Sequence, residues 1–568
     1  MMPRWWIAVL CWLASSTPAA AADGLASLVL RGAKVVTLDD QRPAATAVAI
    51  SGDRIAAVGS DDDIARWIGG ATRVIECRGQ MVVPGFIEGH GHFISLGDAK
   101  LKLDLSQAAT WEEIVAKVAE AAKSTPRGKW IIGRGWHQGH WSQPPKDHVE
   151  GYPDTRELSR LVPEHPVLLT HGTGHMCLAN AKAMELAGIT NDTPSPRGGE
   201  ILRDRDGRPI GAFREAAAAP IHRAVERAER GRSPQEVRDE LLACVREAAN
   251  ECLRFGVTSF QDAGSPLEVV DLFRELAAEG KLPVRLWVML NDSNDVLADN
   301  LAKYRTIGYG NGFLTVRGIK RMVDGALGTH GAWLLEPYDD LPTSRGLNVL
   351  PLESLRRTSE LAIVHDYQLC VHAIGDLANR ETLNQMEAVF RAHPERKDLR
   401  WRIEHAQHLH PDDIPRFKRL GVIASMQGNH ATSDGPFVVQ RLGEWRARTG
   451  AYAWRSLLDA GAIVINGTDA PVETLNPLDA FHSSVTRRMA DGRTFFPEQS
   501  MTRLEALRSY TRDAAWAAFE EEHKGTLTPG KLADIAVVSH DLLTAPAEQL
   551  REAKVVMTIV GGRVVYER

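Results

Sequence analysis

Apolar positions along the chain gather into short runs, mostly separated by stretches with helical periodicity. Eight runs stand out: Met81 to Gly85, then VTSFQDAG from Val257, VRLWVML from Val284, LTVRGIKRMVDG from Leu314, QLCVHAIGD from Gln368, WRIEHAQ from Trp401, GVIASMQG from Gly421 and AIVINGTDAP from Ala462. Strands alternating with helices argue a parallel sheet, and eight such units argue a closed (β/α)8 barrel whose functional groups lie at the C-terminal strand ends. The expected fold class is therefore α/β, a TIM barrel over residues 81–524.

The flanks read differently. Residues 23–80 (LVLRGAKVVTLDD, AVAISGDRIAAVG, TRVIECRG) and 525–568 (DIAVVS, VVMTIVGGRVVYER) are β-rich and punctuated by glycine. A large insertion, at about 98–250, separates the first two runs and far exceeds an ordinary βα connection. Inside it, Thr110 with Glu113 reads as a capping box ahead of Ile114, Val115, Val118 and Ala122. Ser233 with Glu236 opens a longer helix running into Phe255, with Gly256 as its stop. Met1 to Arg4 is positive, Trp5 to Ala14 apolar, and Pro18 to Ala22 small, which reads as a signal peptide over residues 1–22. That predicts export to the periplasm or beyond. The apolar stretch is too short for a transmembrane helix, so no stable membrane insertion is expected after cleavage.

Composition narrows the function classes. With 44% hydrophobic and 25% charged residues, the 568-residue chain is an ordinary globular protein large enough for a barrel and an accessory domain. Net charge is −6 with no basic block, which gives nucleic-acid binding no electrostatic support. Beyond the leader lie Cys77, Cys177, Cys244, Cys252 and Cys370, an odd count. Cys244 and Cys252 would sit roughly 12 Å apart along one helix, too far for a bridge. The cysteines are read as mostly core residues, with one disulfide left open.

The chemistry concentrates at six positions. His90, His92, Lys320, His372, His405 and Asp469 each stand at or just past the end of an apolar run, and would converge at one barrel mouth. Alternate residues of an extended strand share a face, so His90 and His92 can reach one divalent cation. An ion held by this pair with Asp469 opposite would supply hydroxide at neutral pH. A second, held by His372 and His405, would polarise a carbonyl. Asp324 and His330, just beyond Lys320, are secondary candidates for substrate contact, and Gln427 and His430 weaker ones. Insertion loops at a barrel mouth usually shape the pocket for a small-molecule substrate. Trp136, His137, His140, His171 and His175 are the candidates there.

The segments PGFIEGHGHF, GIKRMVDGALGTHGAWLLEPY, CVHAIGDLANR, RIEHAQ, NGTDAPVETLNP and GTLTPGKLADIAVV together span nearly the whole mature chain. They resemble the amidohydrolase superfamily, in its exoenzyme-like branch (amidohydrolase family 3) related to N-substituted formamide deformylase. The branch pattern of a His-x-His pair, a strand-four lysine, single histidines on strands five and six and a strand-eight aspartate is complete; Glu88 departs from it, where aspartate is usual. The resemblance implies that the two β-rich ends form one small β-sandwich beside the barrel. It also implies that a carbamylated Lys320 bridges two divalent ions, here expected to be Zn2+, although imidazole–carboxylate sites also accept manganese, nickel, cobalt or iron. The plain alternative for Lys320 is a salt bridge to Asp324. Asp469 would be both ligand and general acid/base, and His175, which resembles a family position near the site, ranks first among the pocket candidates. The expected activity is hydrolysis of a non-peptide carbon–nitrogen bond in a linear amide, formamide or N-acyl compound. Ester, lactone or cyclic amidine hydrolysis is the alternative within enzymes, and a catalytically inactive binding protein the alternative outside them. A homodimer is the default expectation.

Overall fold

The computed structural model describes residues 24–136, 138, 141–171, 176–196, 199–328 and 330–568. The expected leader, Met1 to Ala22, and the pocket candidates His137, His140 and His175 lie outside the described residues.

Eight parallel strands form the barrel: β1 (Phe86–Gly91), β2 (Val257–Ser265), β3 (Arg285–Leu290), β4 (Leu314–Met322), β5 (Gln368–Ala373), β6 (Arg402–His405), β7 (Ile423–Gln427) and β8 (Val464–Gly467). Each pairs in parallel with the next. Just past β8 the circle is drawn together by backbone bonds from the Asp469 N–H to the His90 carbonyl (2.7 Å) and from the His92 N–H to the Ala470 carbonyl (2.8 Å). Strands buried on both faces favour continuous apolar side chains, and β3 is buried at every position: Leu-Trp-Val-Met-Leu follows Arg285, whose charge is paired with Asp534.

One boundary differs from the sequence expectation. Met81–Pro84 is not the first barrel strand; it pairs antiparallel with Ile535–Val538 and parallel with Lys34–Val36. Its partners lie far off in sequence, so local periodicity carried no sign of which sheet would claim it. The barrel begins at Phe86, and Gly85 turns the chain where a Cβ would strike the Thr258 side chain at 2.2 Å. The sheet that takes Met81–Pro84 lies across from a second, built from Leu28–Arg31, Ala47–Ser51, Arg54–Gly59 and Arg73–Glu76. Leu30, Val48, Ile50, Val82, Ile535, Val537 and Ile559 share the core between them. Both chain ends thus build one sandwich.

The insertion carries its own α/β core. Six strands lie in the order Gly199–Arg203, Pro209–Glu215, Met176–Ala179, Val167–His171, Ile131–Trp136, Leu103–Asp104. Helix Trp111–Ser124 packs Trp111, Ile114 and Val118 into a cluster with Leu105, Trp136 and Leu169. Only half of the first expected capping box forms: Thr110 accepts from the Glu113 N–H, while the Glu113 carboxylate takes the Ala109 N–H instead. The box of Ser233 and Glu236 is complete and starts helix Pro234–Arg254. That helix packs against Phe93–Leu101, which directly follows β1; a Cβ on Gly97 would lie 1.9 Å from the Cys244 carbonyl oxygen, so glycine permits the approach. All five cysteines among the described residues are buried and free, which closes the disulfide left open by their count. No helix among the described residues is long and apolar enough to cross a membrane.

Candidate metal centre

The strand ends bring together the six residues singled out by their positions. His90 and His92 come from the end of β1 and Asp469 from the turn after β8, with Asp469 Oδ1 3.5 Å from His90 Nε2 and 3.2 Å from His92 Nε2. Lys320 on β4 places Nζ 3.3 Å from His90 Nε2. His405 on β6 has its ring 4.7 Å from that of His90 and 4.5 Å from that of His372 on β5. His405 (φ 74°) and Asp469 (φ 57°) both adopt left-handed backbone, a strained conformation that persists where surrounding structure over-determines it and that clusters at functional sites.

Partners behind the ring orient each imidazole. Glu404 binds His90 Nδ1 at 2.5 Å and Gln427 binds His405 Nδ1 at 2.7 Å, which leaves each Nε2 toward the centre. Arg402, fully buried, grips Glu404 at 2.7 and 3.0 Å and also donates to the Gly89 carbonyl. Burial pushes Glu404 upward, but the Arg402 charge, then His90, outweighs it and holds the carboxyl well below its usual range. Burial, reinforced by the Lys320 charge, pushes His90 down to about 4, and burial takes His405 well below its ordinary value. Both rings are therefore neutral at pH 7, the form that ligates metal. Burial would raise Asp469 as well, yet the imidazoles around it, His92 first, hold it low and ionised.

Two sets of donor atoms lie close enough to hold an ion: His90, His92 and Asp469, and His405, His430 and Asp469. The second set departs from the expectation that His372 would accompany His405. His430 stands there, on the short helix Gly428–Ser433 after β7, its Nδ1 receiving the Gln407 amide at 3.0 Å and its Nε2 3.9 Å from Asp469 Oδ2. His372 Nε2 points toward the Asp324 carboxylate at 3.5 Å without a hydrogen bond. His372 Nε2, His430 Nε2 and Asp469 Oδ1 are all buried without a hydrogen-bond partner. Orphaned buried atoms of this kind are costly unless something binds them, and nitrogen plus carboxylate donors suit a divalent cation. The residues present fit the metal.

The centre opens into a cavity of about 590 Å3 at the barrel mouth, lined also by Ala263, Asn291, Arg321, Met322, Ala326, Ile374, Gln407, Asp434, Val472 and Glu473. Of the other expected substrate contacts, those among the described residues do not line this cavity. Trp136 is buried in the insertion core, its Nε1 donating to the Leu169 carbonyl at 2.9 Å, because its strand turns that face toward helix Trp111–Ser124. His171 packs edge-on against Trp136 and bonds Gln138 at 2.8 Å. Asp324 accepts the N–H groups of Trp333, Ile374 and Gly375 at 2.8–2.9 Å, so it ties two loops together, and the alternative Lys320–Asp324 salt bridge does not form. His330 pairs with Asp340 at 3.1 Å and does not line the cavity. Glu88 accepts the Thr468 N–H at 2.5 Å, joining β1 to β8 below the ligands, and burial pushes its pKa up to about 8. The residue underweighted by sequence reasoning is His430, whose one signal was its place just past the seventh apolar run.

A parallel barrel with buried, unsatisfied imidazoles and an aspartate at its C-terminal mouth defines a metal-dependent hydrolase. Residues 73–566 match the profile of the amidohydrolase family, and the chain belongs to that family. It is 32% identical to the protein LONG AFTER FAR-RED 3 of Arabidopsis thaliana over 98% of this chain and 94% of that one. It is 29% identical to N-substituted formamide deformylase of Arthrobacter pascens over 95% of this chain and 98% of that one. Among solved structures, an uncharacterized metal-dependent hydrolase from Pyrococcus furiosus superposes with a TM-score of 0.72 at 26% identity, covering 91% of this chain and 100% of that one.

Proposed function

We propose that this amidohydrolase cleaves a non-peptide carbon–nitrogen bond in a small linear amide, formamide or N-acyl compound. The observation that carries the reading is the pair of buried imidazole nitrogens His372 Nε2 and His430 Nε2, without hydrogen-bond partners, lining one cavity with the ionised Asp469. The likeness to a formamide deformylase along almost the whole chain supports the substrate class. His90, His92 and Asp469 would hold one divalent ion, and His405 and His430 would share Asp469 with a second. When bound, such ions supply Lewis acidity, which polarises a carbonyl and makes water acidic. Asp469, ionised and central, takes the proton of the attacking water and returns it to the leaving nitrogen. Glu404 and Gln427 keep His90 and His405 in the tautomer that leaves Nε2 free.

Lys320 is proposed to be a carbamate formed with carbon dioxide, bridging two Zn2+ ions. Its support is position: Nζ lies beside His90 Nε2, burial lowers its pKa against the pull of Glu404 and Asp469, and among the described residues no carboxylate lies within ion-pair distance of it. The test is zinc-reconstituted protein assayed for formate release on a panel of N-substituted formamides, with metal content and intact mass under non-acid conditions. Formate release, two ions per chain and a mass excess of one carbon dioxide are expected. No turnover on any amide overturns the activity; one ion without excess mass removes the bridge while leaving the hydrolase.

A further inference from the structure

The cavity wall beyond the metal ligands carries two carboxylates, Asp434 and Glu473, whose hydrogen bonds come from neutral groups. Asp434 Oδ2 accepts the Tyr452 hydroxyl at 2.6 Å, and Glu473 Oε1 accepts the Ser433 hydroxyl at 2.6 Å. Among the described residues neither has a basic side chain within ion-pair distance; His430, beside Asp434, turns its Nε2 toward Asp469 instead. Arg321, on the same wall, spends its guanidinium on Thr358 Oγ1 (3.0 Å), the Lys320 carbonyl (2.8 Å) and Asn294 Oδ1 (2.9 Å). On the protein side neither carboxylate therefore has an ion-pair partner; burial raises the Asp434 pKa, with His430 beside it acting the other way, and a partly desolvated carboxylate without a counter-ion is costly.

Asp434 is also held in place. Tyr452 is buried, its N–H bonds the Gln407 carbonyl at 2.6 Å, and its own carbonyl receives Arg487 Nη1 at 3.1 Å. A buried tyrosine whose backbone is held at both its N–H and its carbonyl gives the carboxylate it binds a fixed donor, and a preorganised charge discriminates better than a mobile one. At the rim, Met322 and Val472 leave more than half of their surface exposed. Apolar surface next to fixed negative charge matches a ligand with an apolar body and a cationic end.

We propose that Asp434 and Glu473 form a cation-recognising subsite of the catalytic cavity, so that preferred substrates are apolar amides bearing a protonated amine or amidine away from the scissile carbonyl. This rests on the amide-hydrolase reading above, and hydrolysis-resistant probes separate the two. The probes are N-(4-aminobutyl)methanesulfonamide and N-pentylmethanesulfonamide, which differ in replacing a terminal ammonium by methyl. Binding of each to metal-loaded protein is measured by calorimetry, with turnover of the corresponding N-alkylformamides measured in parallel.

Wild type should bind the ammonium probe about tenfold more tightly than its alkyl partner, the size of one exposed-to-half-buried charge contact. Asp434→Asn, which keeps a Tyr452 acceptor, should bring that ratio close to one, and Glu473→Gln should lower it in part without touching the buried Tyr452 contact. Equal binding in wild type, no measurable binding of the ammonium probe, or an unchanged ratio in both variants would overturn the subsite. If the ratio behaves as expected but neither formamide is cleaved, the subsite stands and the amide reading falls.

Discussion

The insertion core satisfies its buried amide and most of its polar atoms, Trp141 Nε1 being an exception, whereas the barrel mouth leaves imidazole and carboxylate atoms without hydrogen bonds. In the insertion, Asn180 is fully buried and wholly satisfied: its Oδ1 accepts the Val167 and Ala183 N–H groups, and its Nδ2 donates to the Val162 and His165 carbonyls, all at 2.9–3.0 Å. Trp136 Nε1 likewise finds the Leu169 carbonyl. At the mouth, His372, His430 and Asp469 each keep a buried atom that makes no hydrogen bond. Folding alone favours the first arrangement, since an unsatisfied buried group costs about 1–3 kcal/mol. The second makes sense where a ligand completes the site, and strained backbone at His405 and Asp469 falls in the same place.

Three measurements break or sharpen that contrast. Asp469→Asn removes the central charge while keeping the shape, so kcat should fall by about 10^3-fold or more, some 4 kcal/mol of transition-state stabilisation, with the melting temperature of the metal-free protein near that of metal-free wild type. Near-normal turnover in that variant would end the mechanism. Asn180→Ala should do the reverse: about 3 kcal/mol of stability lost, from a missing helix cap and orphaned backbone groups, with kcat/KM intact below the lowered melting temperature. Removing metal with a chelator should destabilise by about 2.7 kcal/mol relative to protein in zinc at about 100 times its Kd, and zinc should restore the loss. A melting temperature indifferent to chelator and zinc would mean that the mouth tolerates its orphaned atoms unaided.

The sequence made the mouth more legible than the insertion for physical reasons. His90 and His92 follow from strand alternation, and Lys320, His372, His405 and Asp469 follow because a parallel barrel delivers every strand end to one face. His430 was weaker because it sits on a helical turn beyond β7, where no two-residue period marks the inward face. Trp136 misled because a Gly-rich, His-rich segment looks like a loop at a mouth, whereas pairing with Val167–His171 turns it into core. Met81–Pro84 reads as a barrel strand because nothing local tells an apolar strand that its partner is Ile535–Val538.

His408 supplies the finest test, because it carries unpartnered ring nitrogens without facing the metal cavity. It lies three residues past His405, packs edge-on against Tyr452 at 5.5 Å, and has both Nδ1 and Nε2 buried without partners. Burial pushes its pKa down to about 3, against about 6.5 in an unfolded chain. Between those values the unfolded chain binds a proton that the folded one refuses, so stability is full above about pH 6.5 and falls as the pH drops toward 3. At pH 5 the loss should reach about 2 kcal/mol relative to neutral pH. His408→Leu should remove that part of the acid sensitivity, read as a smaller drop in unfolding free energy between pH 7 and pH 5, while activity and metal content at pH 7 stay unchanged. If the leucine variant instead lost metal, an orphaned imidazole outside the cavity would be serving the centre, and the division between mouth and packed core would have to be redrawn through the loop after β6.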